Sequence, residues 1–163
     1  MNIKIIRIVF VVGLPLLVLA GYLGYMSSAR LAEGRSCFLY LSLKTETSPY
    51  EVKEYLDLFT KGNNVDGKKY GTQVGPDLSN GYYGEFSGVL NKKILSGKTL
   101  FEIEGSTIIE HEEYEIQKEK IIKKRWPLGE IDGELQPNKT NPPVSLQEYN
   151  LINCTELDTG LAG

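Results

Sequence analysis

The stretch "YYGEFSGVLN", Tyr82 to Asn91, decides the fold. Its large apolar residues alternate, with Tyr82, Phe86 and Leu90 on one face together with Gly84 and Gly88. A period of two is the mark of a strand, because successive side chains leave opposite faces of the pleat. Glycine weakens a strand and therefore needs a reason, such as a bend or a close approach. Two readings stay open. Either Gly84 and Gly88 let the sheet coil or admit a neighbouring side chain, or they leave a concave apolar space between aromatic rings. In the second reading Tyr82, Gly84, Phe86 and Gly88 form one wall of a ligand cavity, and Phe101 and Tyr114 continue it.

Working outward, β character dominates. The segment 99–113, "TLFEIEGSTIIEHEE", reads as a hairpin turning at Gly105-Ser106. Residues 114–126 carry one or two more strands, with a turn near Lys118–Lys120. Asp132-Gly133 marks a further turn, and residues 144–154 form a closing strand. The exception is "SPYEVKEYLDLFTKG", 48–62, which reads as a helix. Ser48 and Glu51 make a capping box, Pro49 sits at the first helical position, and Gly62 suits a C-cap. Val52, Tyr55, Leu56 and Phe59 form one apolar stripe at helical spacing. Residues 62–81, with five glycines, read as a long loop. The expected class is mainly β with one helix (α+β), a small antiparallel barrel or curled sheet.

In the run 36–45, "SCFLYLSLKT", both faces are apolar. Phe38 and Tyr40 are expected on the outer one, either as ordinary surface aromatics or as a partner interface. Cys37 and Cys154 are the only two cysteines. An even pair in an exported domain reads as a disulfide. The bond would set the first and last strands side by side, as barrel closure requires.

The chain begins "MNIKIIRIVFVVGLPLLVLAGYLGYMSSAR". Residues 8–26 carry no charge, about the span of a bilayer core. Lys4 and Arg7 precede them, and Tyr22 and Tyr25 lie at their far end, as in an inner-membrane anchor with its amino terminus inside. The sequence "SSA", 27–29, keeps a cleaved signal peptide open as the alternative. The expected plan is a cytoplasmic tail 1–7, an anchor 8–26, a tether 27–35 and a periplasmic domain 36–163. With Lys4 and Arg7 set aside, 16 basic residues face 21 acidic ones. That balance argues against a nucleic-acid partner.

Catalytic signals are weak. His111 is the only histidine, and Glu110 and Glu112 beside it belong to the other strand face. No metal site, cofactor motif or catalytic set stands out, so no enzyme is expected. The basic run Lys123, Lys124, Arg125 and Trp126 pairs with the acidic run Glu110–Glu115 or meets a ligand carboxylate.

In layout the chain resembles the ToxS-type periplasmic partners of membrane-bound transcription activators. The anchor with Lys4 and Arg7, the "YYGEFSGVL" strand and the hairpin series carry that resemblance. It implies a membrane-anchored co-receptor and a lipocalin-like barrel formed jointly with the activator. It also implies an amphipathic ligand, such as a bile salt, held inside. The competing expectation is a periplasmic immunity or inhibitor protein, which would block a toxin or hydrolase with a protruding loop, 62–81 or 127–143.

Overall fold

The computed structural model describes residues 31–43, 49–76, 79–103 and 106–160. The anchor at 8–26 and the tether up to Arg30 lie outside them, and no helix among the described residues is long and apolar enough to cross a membrane. Among the described residues there are ten strands: β1 (Gly34–Ser42), β2 (Glu51–Lys61), β3 (Asn64–Val74), β4 (Ser79–Asn91), β5 (Ile94–Ile103), β6 (Ser106–Ile116), β7 (Lys120–Arg125), β8 (Leu128–Ile131), β9 (Glu134–Pro137) and β10 (Ser145–Ile152). A short helix, α1 (Cys154–Gly160), follows. Strands β1 to β7 pair in sequence and β10 lies between β7 and β1. Eight strands thus close into an antiparallel up-and-down barrel. It closes within this one chain, whereas the resemblance implied a barrel shared with a partner.

The helix expected over 48–62 is instead β2, and the long loop expected over 62–81 is instead β3 and the start of β4. Val52, Leu56, Leu58 and Thr60 alternate along β2, and the last three are buried in the barrel. Phe59, a member of the supposed helical stripe, is 56% exposed on the outside. Gly62 does end the element, as the first residue of a two-residue hairpin turn with φ +63°. Such a turn matches strand twist when its first residue tolerates positive φ. Asp132 and Gly133, both at positive φ, turn β8 into β9 as expected. The hairpin expected at Gly105-Ser106 is β5–β6, with Ile103 paired to Ser106.

Cys37 and Cys154 are bonded, with Cα atoms 5.2 Å apart. The bond fastens the start of α1 to β1, beside the short ladder in which Cys37–Leu39 pair with Asn150–Ile152. That ladder covers only one end of the β1–β10 seam. Tyr40 to Ser42 continue along β2, and Ser145 to Glu148 along β7, without pairing with each other. Arg35 braces the same end with ion pairs to Asp57 (2.9 Å) and Asp158 (2.7 Å). Their carboxylate and guanidinium pairing holds the Asp158 carboxyl below the usual range.

The interior is divided along the barrel axis. The end holding the turns at 62–63, 92–93 and 117–119 is solid. Phe38, Leu56, Leu58, Val65, Leu95 and Ile121 fill it, and Leu31 caps it. Phe38 is only 4% exposed, so the strand presents the opposite face from the one expected: Phe38 points inward and Tyr40 packs on the core. Burying Phe38 and Ser36 leaves Leu41 and Leu43 outside, a pattern the two-faced apolar sequence equally allows.

Candidate functional site: a half-open barrel with an ionic floor

At the other end the barrel is hollow. A cavity of about 420 Å³ opens there, within the range of small-molecule sites. Its walls carry Tyr40, Val52, Tyr82, Phe101, Ile108 and Trp126. Its floor is ionic, and each member is inward on its strand by simple alternation. Glu54 comes from β2, Lys69 from β3, Glu110 and Glu112 from β6, and Lys123 from β7.

The floor is one connected network. Lys69 lies 2.7 Å from Glu112 and 3.3 Å from Glu54. Lys123 reaches Glu110 at 2.9 Å and also contacts Glu112. Glu112 has no exposed side-chain surface and takes further hydrogen bonds from Thr99 and from the Tyr114 hydroxyl at 3.0 Å. Glu54 accepts from the hydroxyls of Tyr82 and Tyr149. The rings of Tyr114 and Tyr149, edge to face at 6.0 Å, form the boundary layer. Their apolar bodies face the core and their hydroxyls face the floor, which suits an amphipathic side chain.

Burial alone would raise the Glu112 carboxyl, but Lys69 and Lys123 outweigh it and hold it well below the carboxylate range. Burial alone would lower the Lys69 ammonium, but Glu112 and Glu54 hold it above the usual lysine value. Burial, then the neighbouring carboxylates, push the Tyr114 and Tyr149 hydroxyls well above their ordinary value, so both remain donors. Glu112 and Lys69 are therefore charged across the neutral range. These two are fixed charges at the centre of the floor.

Glycine makes the geometry possible at one point. Gly71 lies opposite Tyr82 in the β3–β4 register. A Cβ on Gly71 would sit 2.1 Å from the Tyr82 ring, which crosses β3 there to reach Glu54. Of the six wall residues expected from sequence, Tyr82 and Phe101 line the cavity. Gly84, Phe86, Gly88 and Tyr114 belong to the packed part of the barrel instead. A Cβ on Gly88 would meet the Phe86 ring at 2.8 Å and the Ser96 carbonyl at 2.7 Å, so the gap between the rings is already filled. On Gly84 it would meet Thr99 and Phe101 within 2.7 Å. Phe38, expected at a partner interface, lies in the core, and Tyr40 lines the cavity.

The hairpin β8–β9 flanks the mouth. Leu135 pairs with Glu110 of β6 in parallel, and Leu128, Leu135 and Pro137 join the cavity rim. Outside the barrel, Glu134 accepts from Lys98 (2.8 Å) and from His111 Nε2 (2.5 Å). These two hydrogen bonds hold its carboxyl below the usual range. His111 thus serves as a clasp for the hairpin. Lys139 adds a 2.8 Å pair to Glu113 and lies 5.2 Å from the centre of the Trp126 ring. Lys69, Glu54 and Gln147 are the site residues that sequence reasoning missed, whereas Lys123 pairs with Glu110 and Glu112 of the acidic run, as expected. Alternation within 64–74, which puts Val65 and Lys69 on one face, was the available signal. No family model, curated protein or solved structure matches this chain.

Proposed function

We propose that this chain is a binding module for a small amphipathic molecule. In this reading it is a membrane-anchored periplasmic co-receptor, held at the inner membrane by residues 8–26, beside a membrane-bound transcription activator. The observation that carries the reading is the half-open barrel. A cavity of about 420 Å³ joins aromatic and aliphatic walls to a hydrogen-bonding floor. An amphipath matches such a site, because its apolar body leaves water against the walls while its polar groups keep hydrogen bonds. Ligand binding would favour the assembled receptor to the extent that the complex binds it more tightly than the free chain does.

Trp126 is the only tryptophan and lies at the mouth, so its emission reports occupancy. The full chain in lipid nanodiscs is titrated with taurodeoxycholate at micromolar concentration, by fluorescence and calorimetry. Saturable quenching that Ile108→Phe reduces is the expected result, since the larger ring fills the cavity. No saturable signal, together with no co-purification of a DNA-binding membrane protein encoded beside the gene, would sink the proposal.

One observation favours the second reading, an immunity or inhibitor protein. The β8–β9 tip exposes Ile131 (54%) next to the Asp132-Gly133 turn, as an inhibitory loop would. A co-purified toxin or hydrolase released by Ile131→Asp would establish that reading instead.

A further inference from the structure

The charges of the cavity do not close among themselves. From β2 round to β6 the floor alternates Glu54, Lys69, Glu112, Lys123 and Glu110. Three carboxylates share two ammonium groups, and the series ends on Glu110, whose only ion pair among the described residues is the Lys123 it shares with Glu112. One layer nearer the mouth, Arg125 is inward by the same alternation as Lys123 and lines the same cavity. Among the described residues it has no carboxylate within 4.0 Å. Gln147, opposite Lys123 on β10, is only 8% exposed and lines the cavity too. Its amide has no hydrogen-bond partner among the described residues. The amide faces the open cavity, so it is free to hydrogen-bond a polar group that enters from outside.

We infer that the cavity takes a zwitterionic amphipath of the apolar amino-acid class, with its ammonium at Glu110, its carboxylate at Arg125 and its apolar side chain against Tyr82, Phe101 and Trp126. The inference rests on the binding-module reading and names its ligand class. A lone anion deep in the site would be held by Arg125 but would face Glu110 and Glu54. A lone cation would complete the floor and leave Arg125 unmatched. A ligand bearing both charges a few atoms apart answers both, and the amide of Gln147 can donate to its carboxylate. Charge-assisted hydrogen bonds are the strong ones, and a ligand carrying both charges makes one at each end.

The test uses the full chain in nanodiscs, with Trp126 emission and calorimetry as readouts. The probes are L-phenylalanine, 3-phenylpropionate, 2-phenylethylamine and taurodeoxycholate. L-Phenylalanine should bind at least roughly tenfold more tightly than either singly charged analogue, a difference of about 1.4 kcal/mol. Arg125→Gln should reduce it to the level of the amine, and Glu110→Gln to the level of the acid. Arg125 has no ion pair to lose, so its variant keeps the test decisive if Glu110→Gln fails to fold. Equal affinities for the three phenyl probes, or a preference for one charge alone, overturns this inference and leaves the binding module standing. Silence from all four probes overturns both.

Discussion

Replacing Lys69 with methionine keeps volume and removes the ammonium at the centre of the floor. Lys69 is 3% exposed and holds two buried carboxylates, at 2.7 and 3.3 Å. Truncating one partner of a buried pair typically costs about 3–5 kcal/mol, because the remaining charge is left buried. The lower end applies here. Glu112 keeps Lys123, Thr99 and Tyr114, and Glu54 keeps two tyrosine hydroxyls. A loss of about 3 kcal/mol in a domain of this size lowers Tm by roughly 10–15 °C and the urea midpoint by roughly 1–2 M. The sign of the pH dependence is also determined. In the native protein the Glu112 carboxyl is depressed, so its contribution is present above the ordinary carboxylate pKa and is lost only as pH falls through the lowered value. Without Lys69 that carboxyl rises, and protonation relieves the unpaired charge. The deficit of the variant should therefore shrink between pH 7 and about 4.5. Urea unfolding followed by Trp126 emission measures both quantities. Lys118→Met, at a side chain 77% exposed, is the control and should cost under about 0.5 kcal/mol. A Lys69→Met loss below about 1 kcal/mol at pH 7, or a deficit that grows on acidification, would refute the reasoning.

Three further outcomes follow from the packing. Reducing Cys37–Cys154, or replacing both by serine, frees a loop of more than a hundred residues and should lower stability by about 4–5 kcal/mol on the chain-entropy account, measured as a urea midpoint with and without reductant. Gly97→Ala sets a Cβ 2.4 Å from the Ser87 carbonyl and 2.6 Å from the Phe86 ring. It should destabilise by about 1–3 kcal/mol, and a neutral result in thermal melts would contradict the close β4–β5 approach. Phe59→Ser should change stability by no more than about 0.5 kcal/mol, since the ring lies outside the barrel. A large loss would restore the helical reading of 48–62.

The polar floor explains what could be read from sequence and what could not. Strand 82–91, the closing strand, the Asp132-Gly133 turn and the disulfide follow local rules, and the structure contains them. Strands β2 and β3 do not. The inward row of β2 passes through Glu54, which breaks the apolar alternation at mid-strand. The helical stripe of Val52, Tyr55, Leu56 and Phe59 is then the cleaner local pattern. The inward row of β3 is Val65, Gly67, Lys69, Gly71 and Gln73, with one apolar side chain in five, so it resembles a loop. A buried lysine is legible only through its partners, and Glu112 lies 43 positions away on another strand. Tyr149, which completes the shell of Glu54, is 95 positions from it. Long-range pairing overrode local propensity at the residues that build the site, as functional positions tend to do. The cavity was placed one layer too deep for a related reason. Glycines in a wall predict close approach, but not whether a ring or a ligand makes it.

The short β1–β10 ladder has a mechanical consequence. The barrel is laced at its solid end by three residue pairs, a disulfide and the Arg35 braces, and it is unlaced beside the cavity. Its circumference at the mouth can therefore change while every ladder stays intact. Tyr40 and Gln147 stand on the two lips of that slit, and both line the cavity. Outside it, Leu41 and Leu146 are about half exposed. A strand laid along the lips would find unpaired backbone on both sides and complete the ladder.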